Sequence, residues 1–161
     1  MKNIISYIGV FLMNSIDLFV KNWGSKKAMV PMKVDDIEEV ESKLNAYLPD
    51  SYKYLISTYG LVHTPNVLTK ICDLGVDVSE VQDFLSLDDV FSLSKLYEMS
   101  GMPKGHVLFA SDCKGNMFCF KLTDCASQQK DIPVWFFNHD MSTVEKVSDS
   151  FTEWLEGFNE L

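Results

Sequence analysis

The sequence has no arginine: all 14 cationic side chains among its 161 residues are lysines, against 23 carboxylates, for a net charge of −9. Arginine supplies the planar fork that grips phosphate oxygens and guanine edges, so its absence and a pI near 4.7 argue against direct nucleic-acid binding. A charged macromolecular partner is therefore expected to be basic. Also absent is any Cys-x-x-Cys pair, and no histidine lies within a few residues of Cys72, Cys113, Cys119 or Cys125. That spacing suits no zinc site, so neither metal nor cofactor is expected. A glycine-rich phosphate loop is missing too: Gly101 and Gly105 flank Pro103 and Lys104 with no helical pattern after them. The apolar run from Ile4 to Val20 is interrupted by Asn14, Ser15 and Asp17, and no small-x-small cleavage site follows it. Neither a membrane span nor a secretory signal is expected, which leaves the cytoplasm and reduced thiols.

What remains is an ordinary globular composition, 47% hydrophobic and 23% charged. A chain of this size buries roughly 70% of its unfolded surface and needs no disulfide or metal staple, but it is too short for an eight-stranded catalytic barrel of about 250 residues. One domain over 1–161 is expected, with 1–33 as an N-terminal amphipathic helix and basic loop. Residues 1–33 carry five lysines against Asp17 alone, so the rest sum to −13. Three acidic blocks, 34–60, 72–101 and 140–161, account for this.

Ile4, Ile8, Phe11, Leu12, Ile16, Phe19, Val20 and Trp23 recur at helical spacing opposite Asn3, Ser6, Asn14, Asp17 and Lys21. A second helix is expected from Asp35, a candidate N-cap with Glu38 three residues on, its stripe being Ile37, Val40, Leu44 and Tyr47 and its solvent face Asp36, Glu39 and Glu41. Pro49 breaks it and opens a third helix, with Tyr52, Leu55, Ile56 and Tyr59 on one face and Gly60 at its end. From Leu61 to Gly75 an extended segment is expected. Phe84 to Leu87 reads as a short strand before a helix near Asp88, with Val90, Leu93, Leu96 and Tyr97 inward and Gly101 and Pro103 stopping it. Val107–Ser111 and Met117–Leu122 flank a polar turn containing Gly115 and predict a hairpin, which Pro133–Asn138 extends into an antiparallel meander. A last helix is expected from about Ser142, with the stripe Val144, Val147, Phe151, Trp154, Leu155 and Phe158.

Catalytic chemistry has few places to reside. Cys113 sits in the hairpin turn between Asp112 and Lys114, and His139 could approach it as a base. A turn cysteine without chemical role is the simpler reading. The pairs Asp35–Asp36 and Asp88–Asp89 stand where helices begin, where the helix dipole favours carboxylates without any acid–base task. His63 and His106 stand alone near loops, and Trp23, Trp135 and Trp154 fall on apolar stripes that predict core packing.

Taken in order, Leu48-Pro49, Tyr52, Leu55 and Gly60, then Leu108-Phe109-Ala110 with Asp112, Gly115 and Asn116, then Pro133-Val134, Ser150-Phe151 and Trp154-Leu155, resemble the SUKH superfamily. That superfamily includes the yeast cell-wall assembly regulator. The resemblance covers about 34–158. It implies an α+β fold, an antiparallel sheet flanked by helices, without enzymatic activity. Bacterial members are typically immunity proteins that neutralise a polymorphic or contact-dependent toxin, and eukaryotic members are regulatory scaffolds. The shared residues are packing and turn residues, so no functional site carries over. Tyr59, before Gly60, departs from the small polar residue common there, and the N-terminal helix lies outside the motifs.

The expected function is thus a non-enzymatic immunity protein that binds a basic toxin domain, such as a nuclease, with a regulatory protein-binding scaffold as the alternative. A small hydrolase using Cys113 or a carboxylate pair is a third reading. Carboxylates set where a nuclease would bind phosphates would cover its basic cleft and steer association. The candidate contacts are Asp73, Asp77, Glu80, Asp83, Asp88 and Asp89, with the helical face Asp36, Glu39 and Glu41.

Overall fold

The aromatic runs in the second half of the chain are too apolar to leave either face in water. In the computed structural model, which describes residues 15–25, 27 and 29–161, they form the inner strands of an antiparallel sheet covered on both sides. The elements run α1 (residues 15–23), α2 (Val34–Leu44), α3 (Asp50–Thr58), α4 (Val67–Leu74), β1 (Asp83–Phe84), α5 (Leu87–Met99), β2 (His106–Ser111), β3 (Met117–Lys121), β4 (Val134–Asn138), β5 (Thr143–Ser148) and α6 (Phe151–Asn159). The five strands lie in sequence order, each antiparallel to the next. The fold is α+β, as expected.

One face carries Val107, Phe109, Phe118, Phe120, Val134 and Phe136 into the main core, where Phe19, Tyr52, Leu55, Phe151 and Trp154 cover them. Phe109 and Phe120 stack at 4.2 Å, and Trp154 meets Phe109 edge-on. Such pairs add about 0.5–1.5 kcal/mol each beyond the area they bury. The opposite face is smaller: Leu108, Met117, Cys119 and Phe137 pack against Met102, Leu93 and Tyr97. The pleat separates the two sets, and β2 carries a bulge. Leu108 pairs with Cys119 and Ala110 with Phe118, which makes Phe109 the extra residue. The Leu108 amide donates to Ser94 Oγ of α5 at 2.9 Å, so the helix satisfies a group at the bulge.

The expected hairpin and third strand are present, as are α3 and the helix near Asp88. Several expectations change. Residues 143–148 are an edge strand and not the start of the last helix, which begins only after Ser150. Val144 and Val147 have helical spacing, but β-branched residues suit a strand beside the aromatic β4. Ser150 Oγ accepts from the Glu153 amide at 3.1 Å, a cap that fixes the true start of α6. Residues 61–75 are extended only at first: His63 bridges Asp83, and then α4 forms and ends at Gly75 in the left-handed region. Two turns with Val67 and Ile71 inward gave too short a pattern to read.

In α2, Asp35 lies inside the first turn, the N-cap position is Lys33, and no side chain caps it. The helix dipole, rather than a capping box, accounts for the acids there. Tyr47 falls beyond α2 and is half exposed, and Leu96 on α5 faces out. The first half of the N-terminal helix reading, including Ile4 to Leu12, lies outside the described residues. Ile16, Phe19 and Val20 are buried as expected.

Candidate protein-binding surface

The hairpin turn holds a structural knot. Asp112 Oδ1 accepts from the Lys114 and Asn116 amides, both at 2.8 Å, and its Oδ2 accepts from Asn116 Nδ2 at 2.7 Å. Asn116 Oδ1 in turn accepts from the His139 amide and lies 2.8 Å from its Nδ1. Tyr97 donates to the Gly115 carbonyl at 3.1 Å. These bonds tie the turn to α5 and to the β4–β5 connection, so His139 is committed to Asn116. Glu80, 7% exposed, accepts from the Cys113 amide. Its carboxylate beside Cys113 pushes that thiol up, opposite to what a nucleophile needs.

Asp131 plays a matching part at the other end of the sheet. Its Oδ1 accepts from Ser51 Oγ at 3.0 Å and from the Phe151 amide at 2.8 Å, and its Oδ2 from the Thr152 amide at 3.2 Å. A carboxylate distant in sequence thus caps α6 and joins it to α3. Sequence reading missed this residue, because nothing local marks a carboxylate that caps a helix twenty positions away.

The acidic candidates divide by environment. Glu41 accepts from the Leu48 amide at 2.7 Å and pairs with Lys53 at 3.1 Å, so it braces the α2–α3 corner instead of facing solvent. Asp83 pairs with His63. Asp89 accepts from Ser86 Oγ within the cap of α5. Asp73 and Asp77 are exposed at the end of α4 and just beyond it, beside the half-exposed Leu74, Val76 and Val78.

The remaining three come together. Where α2 meets the start of α5, Asp36, Glu39 and Asp88 line one groove of about 320 Å3 with Met32, Lys43 and Ser86. Glu39 pairs with Lys43 at 2.7 Å, which holds the Glu39 carboxyl low and the Lys43 ammonium high. Asp36 and Asp88 have no ion-pair partner among the described residues. Two blocks some fifty positions apart in sequence thus share one ridge.

The other sought features lie elsewhere. His106 Nδ1 is 2.9 Å from the Pro103 carbonyl. Trp154 is buried, Trp23 donates to the Phe158 carbonyl at 3.0 Å, and Trp135 is only half buried, with the Lys121 ammonium 3.4 Å from its ring centre. All four cysteines are free, Cys72 and Cys113 exposed, Cys119 and Cys125 buried. Among the described residues no group of three His, Cys, Asp or Glu is arranged to hold a metal, and no helix is long and apolar enough to cross a membrane. Residues 31–157 match the model of the SMI1 / KNR4 family (SUKH-1). No curated protein matches the chain.

Proposed function

The chain belongs to the SMI1 / KNR4 family (SUKH-1), and from that premise we propose that it is a non-enzymatic, cytoplasmic immunity protein that binds and neutralises a basic toxin domain. The contact we assign is the ridge of Asp36 and Glu39 on α2 and Asp88 on α5. One observation carries this reading: carboxylates from separate blocks converge there, and two of them have no ion-pair partner among the described residues. Three of the other acidic candidates support it by contrast, since Glu41, Glu80 and Asp83 are taken up in holding the fold. A net charge of −9 without arginine adds long-range attraction for a basic surface.

The test is coexpression with a toxin domain encoded beside this gene. The parent chain should restore growth, and the double variant Asp36→Asn with Asp88→Asn should rescue less. In binding kinetics the variant should associate about tenfold more slowly at low salt, with a flatter salt dependence. Failure of the parent to rescue would sink the immunity reading, and unchanged association would move the contact off this ridge.

A further inference from the structure

The acidic groove does not end at Asp36. Asp36 and Met32 also line a neighbouring groove of about 360 Å3, whose other walls are Met29, Val30, Pro31, Lys33 and Leu61. Val30 is 76% and Leu61 42% exposed. A single exposed apolar side chain is ordinary, but here two face one concavity that runs into a charged one.

The concavity is also held in shape. Gly60 has φ +82°, and a Cβ there would stand 2.0 Å from the Val30 carbonyl oxygen, so the Val30–Pro31 backbone lies directly on the end of α3. The Met32 amide donates to the Ile56 carbonyl at 2.8 Å. A wall fixed before binding loses little entropy when it is occupied.

We propose that the partner seats one large apolar side chain in this groove while cationic side chains beside that anchor reach Asp36 and Asp88. The proposal rests on the ridge reading above and adds the chemistry of the partner's contact segment. Charge selects the occupant. A second copy of this chain in a two-fold contact would set the same net-acidic patch against itself, which is unfavourable. An acidic segment would meet the same carboxylates. Lys33 lines only the apolar groove and Asp88 only the acidic one, so a bound segment has a direction: its cations lie toward α5. Buried apolar anchors inside a charged rim carry most of the energy in typical interfaces, with the charges setting the association rate.

The experiment titrates the isotope-labelled protein with three short peptides: a central tryptophan flanked by lysines, a central serine flanked by lysines, and a central tryptophan flanked by glutamates. At about 150 mM salt the tryptophan–lysine peptide should bind about tenfold more tightly than the serine–lysine peptide, with shifts centred on Val30, Leu61 and Asp36. The pair Val30→Ser with Leu61→Ser should erase that difference, and Asp36→Asn with Asp88→Asn should weaken both lysine peptides alike. Thermal melts confirm that each variant is folded. Equal binding of the two lysine peptides overturns the anchor and leaves the ridge standing. Equal binding of the glutamate peptide overturns the ridge, and the proposal with it. A dimer in solution that Leu61→Ser dissolves would overturn the proposal by making the groove an interface between copies.

Discussion

The Tyr59 phenol donates to Asp17 Oδ1 at 2.6 Å, and Tyr54 donates to the same oxygen at 2.9 Å. Asp17 is the carboxylate that interrupts the apolar pattern of α1, and Tyr59 is the residue just before the Gly60 that ends α3. Each accounts for the other: the carboxylate on the helix has its donors on α3 and beside it. A helix from outside the matched region 31–157 docks on α3, and its one acidic group is met there by phenols rather than by a cation. Trp23 and Asn159 secure the same helix to α6 by bonds to the Phe158 and Ser15 carbonyls.

Tyr59→Phe should therefore lower stability by about 1.5–3 kcal/mol, the usual contribution of a hydrogen bond to a charged acceptor. Urea unfolding should show a lower midpoint with an unchanged slope. A variant as stable as the parent would show that α1 is held by its apolar side chains alone.

Alkaline pH should test the same phenols. Burial holds the ionisation of Tyr52 and Tyr59 well above the ordinary tyrosine range, and for Tyr59 the Asp17 charge adds to it. The folded state then keeps protons that the unfolded state releases above about pH 10. This stabilisation is complete below that pH and is lost as pH rises toward the folded values, at up to about 1.4 kcal/mol per pH unit for each group. Tyr52→Phe should move the alkaline unfolding midpoint upward. An unchanged midpoint would show that Tyr52 does not ionise on unfolding.

Asp131→Ala should cost about 2–3 kcal/mol, because it strips the Phe151 and Thr152 amides of their acceptor and frees Ser51. Thermal melting should show the loss, and Asp131→Asn should recover part of it through its remaining oxygen. A cost no larger than that of a surface substitution would show that Ser150 alone caps α6.

The sequence legibly marked what is local. The β2–β3 hairpin follows from its aromatic runs and the glycine in its turn, and α3 from Pro49, its apolar face and Gly60. The last helix was misread because Val144 and Val147 stand three apart on an exposed edge strand, where only one neighbour constrains the pattern. The Ser150-x-x-Glu153 spacing held the correct start. Asp131 and the ridge were not legible at all: each depends on segments distant in sequence meeting in space, Asp36 with Asp88 and Asp131 with Phe151.

Thiol accessibility gives another check. Cys119 and Cys125 are buried, and burial pushes their thiols up to about 12, whereas Cys72 and Cys113 are exposed. At about pH 8, near the ordinary thiol value, Cys72 should react first. Cys113 should follow more slowly because of Glu80, and the buried pair should react only on unfolding. Fast modification of all four in the native state would contradict the packing of β3 and of the Cys125 turn.

The last prediction separates the acidic block into its parts. If charge alone mattered, replacing Asp77, Glu80 and Asp83 together by amides would slow association with a basic partner and leave the fold intact. The structure forecasts otherwise for two of the three. Glu80 is buried on the Cys113 amide and Asp83 is paired with His63. Glu80→Gln keeps an acceptor oxygen but loses the charge that strengthens its bond to the Cys113 amide, and Asp83→Asn loses the charged partner of His63, so the triple variant should melt below the parent. Asp73→Asn with Asp77→Asn should not, since both side chains are exposed and neither has an ion-pair partner among the described residues. Set beside Asp36→Asn with Asp88→Asn, it removes the same charge from a different place. If the contact lies on the α2–α5 ridge, only the latter pair should slow association strongly at low salt. Equal slowing by both pairs would mean that net charge steers the partner and no particular surface does.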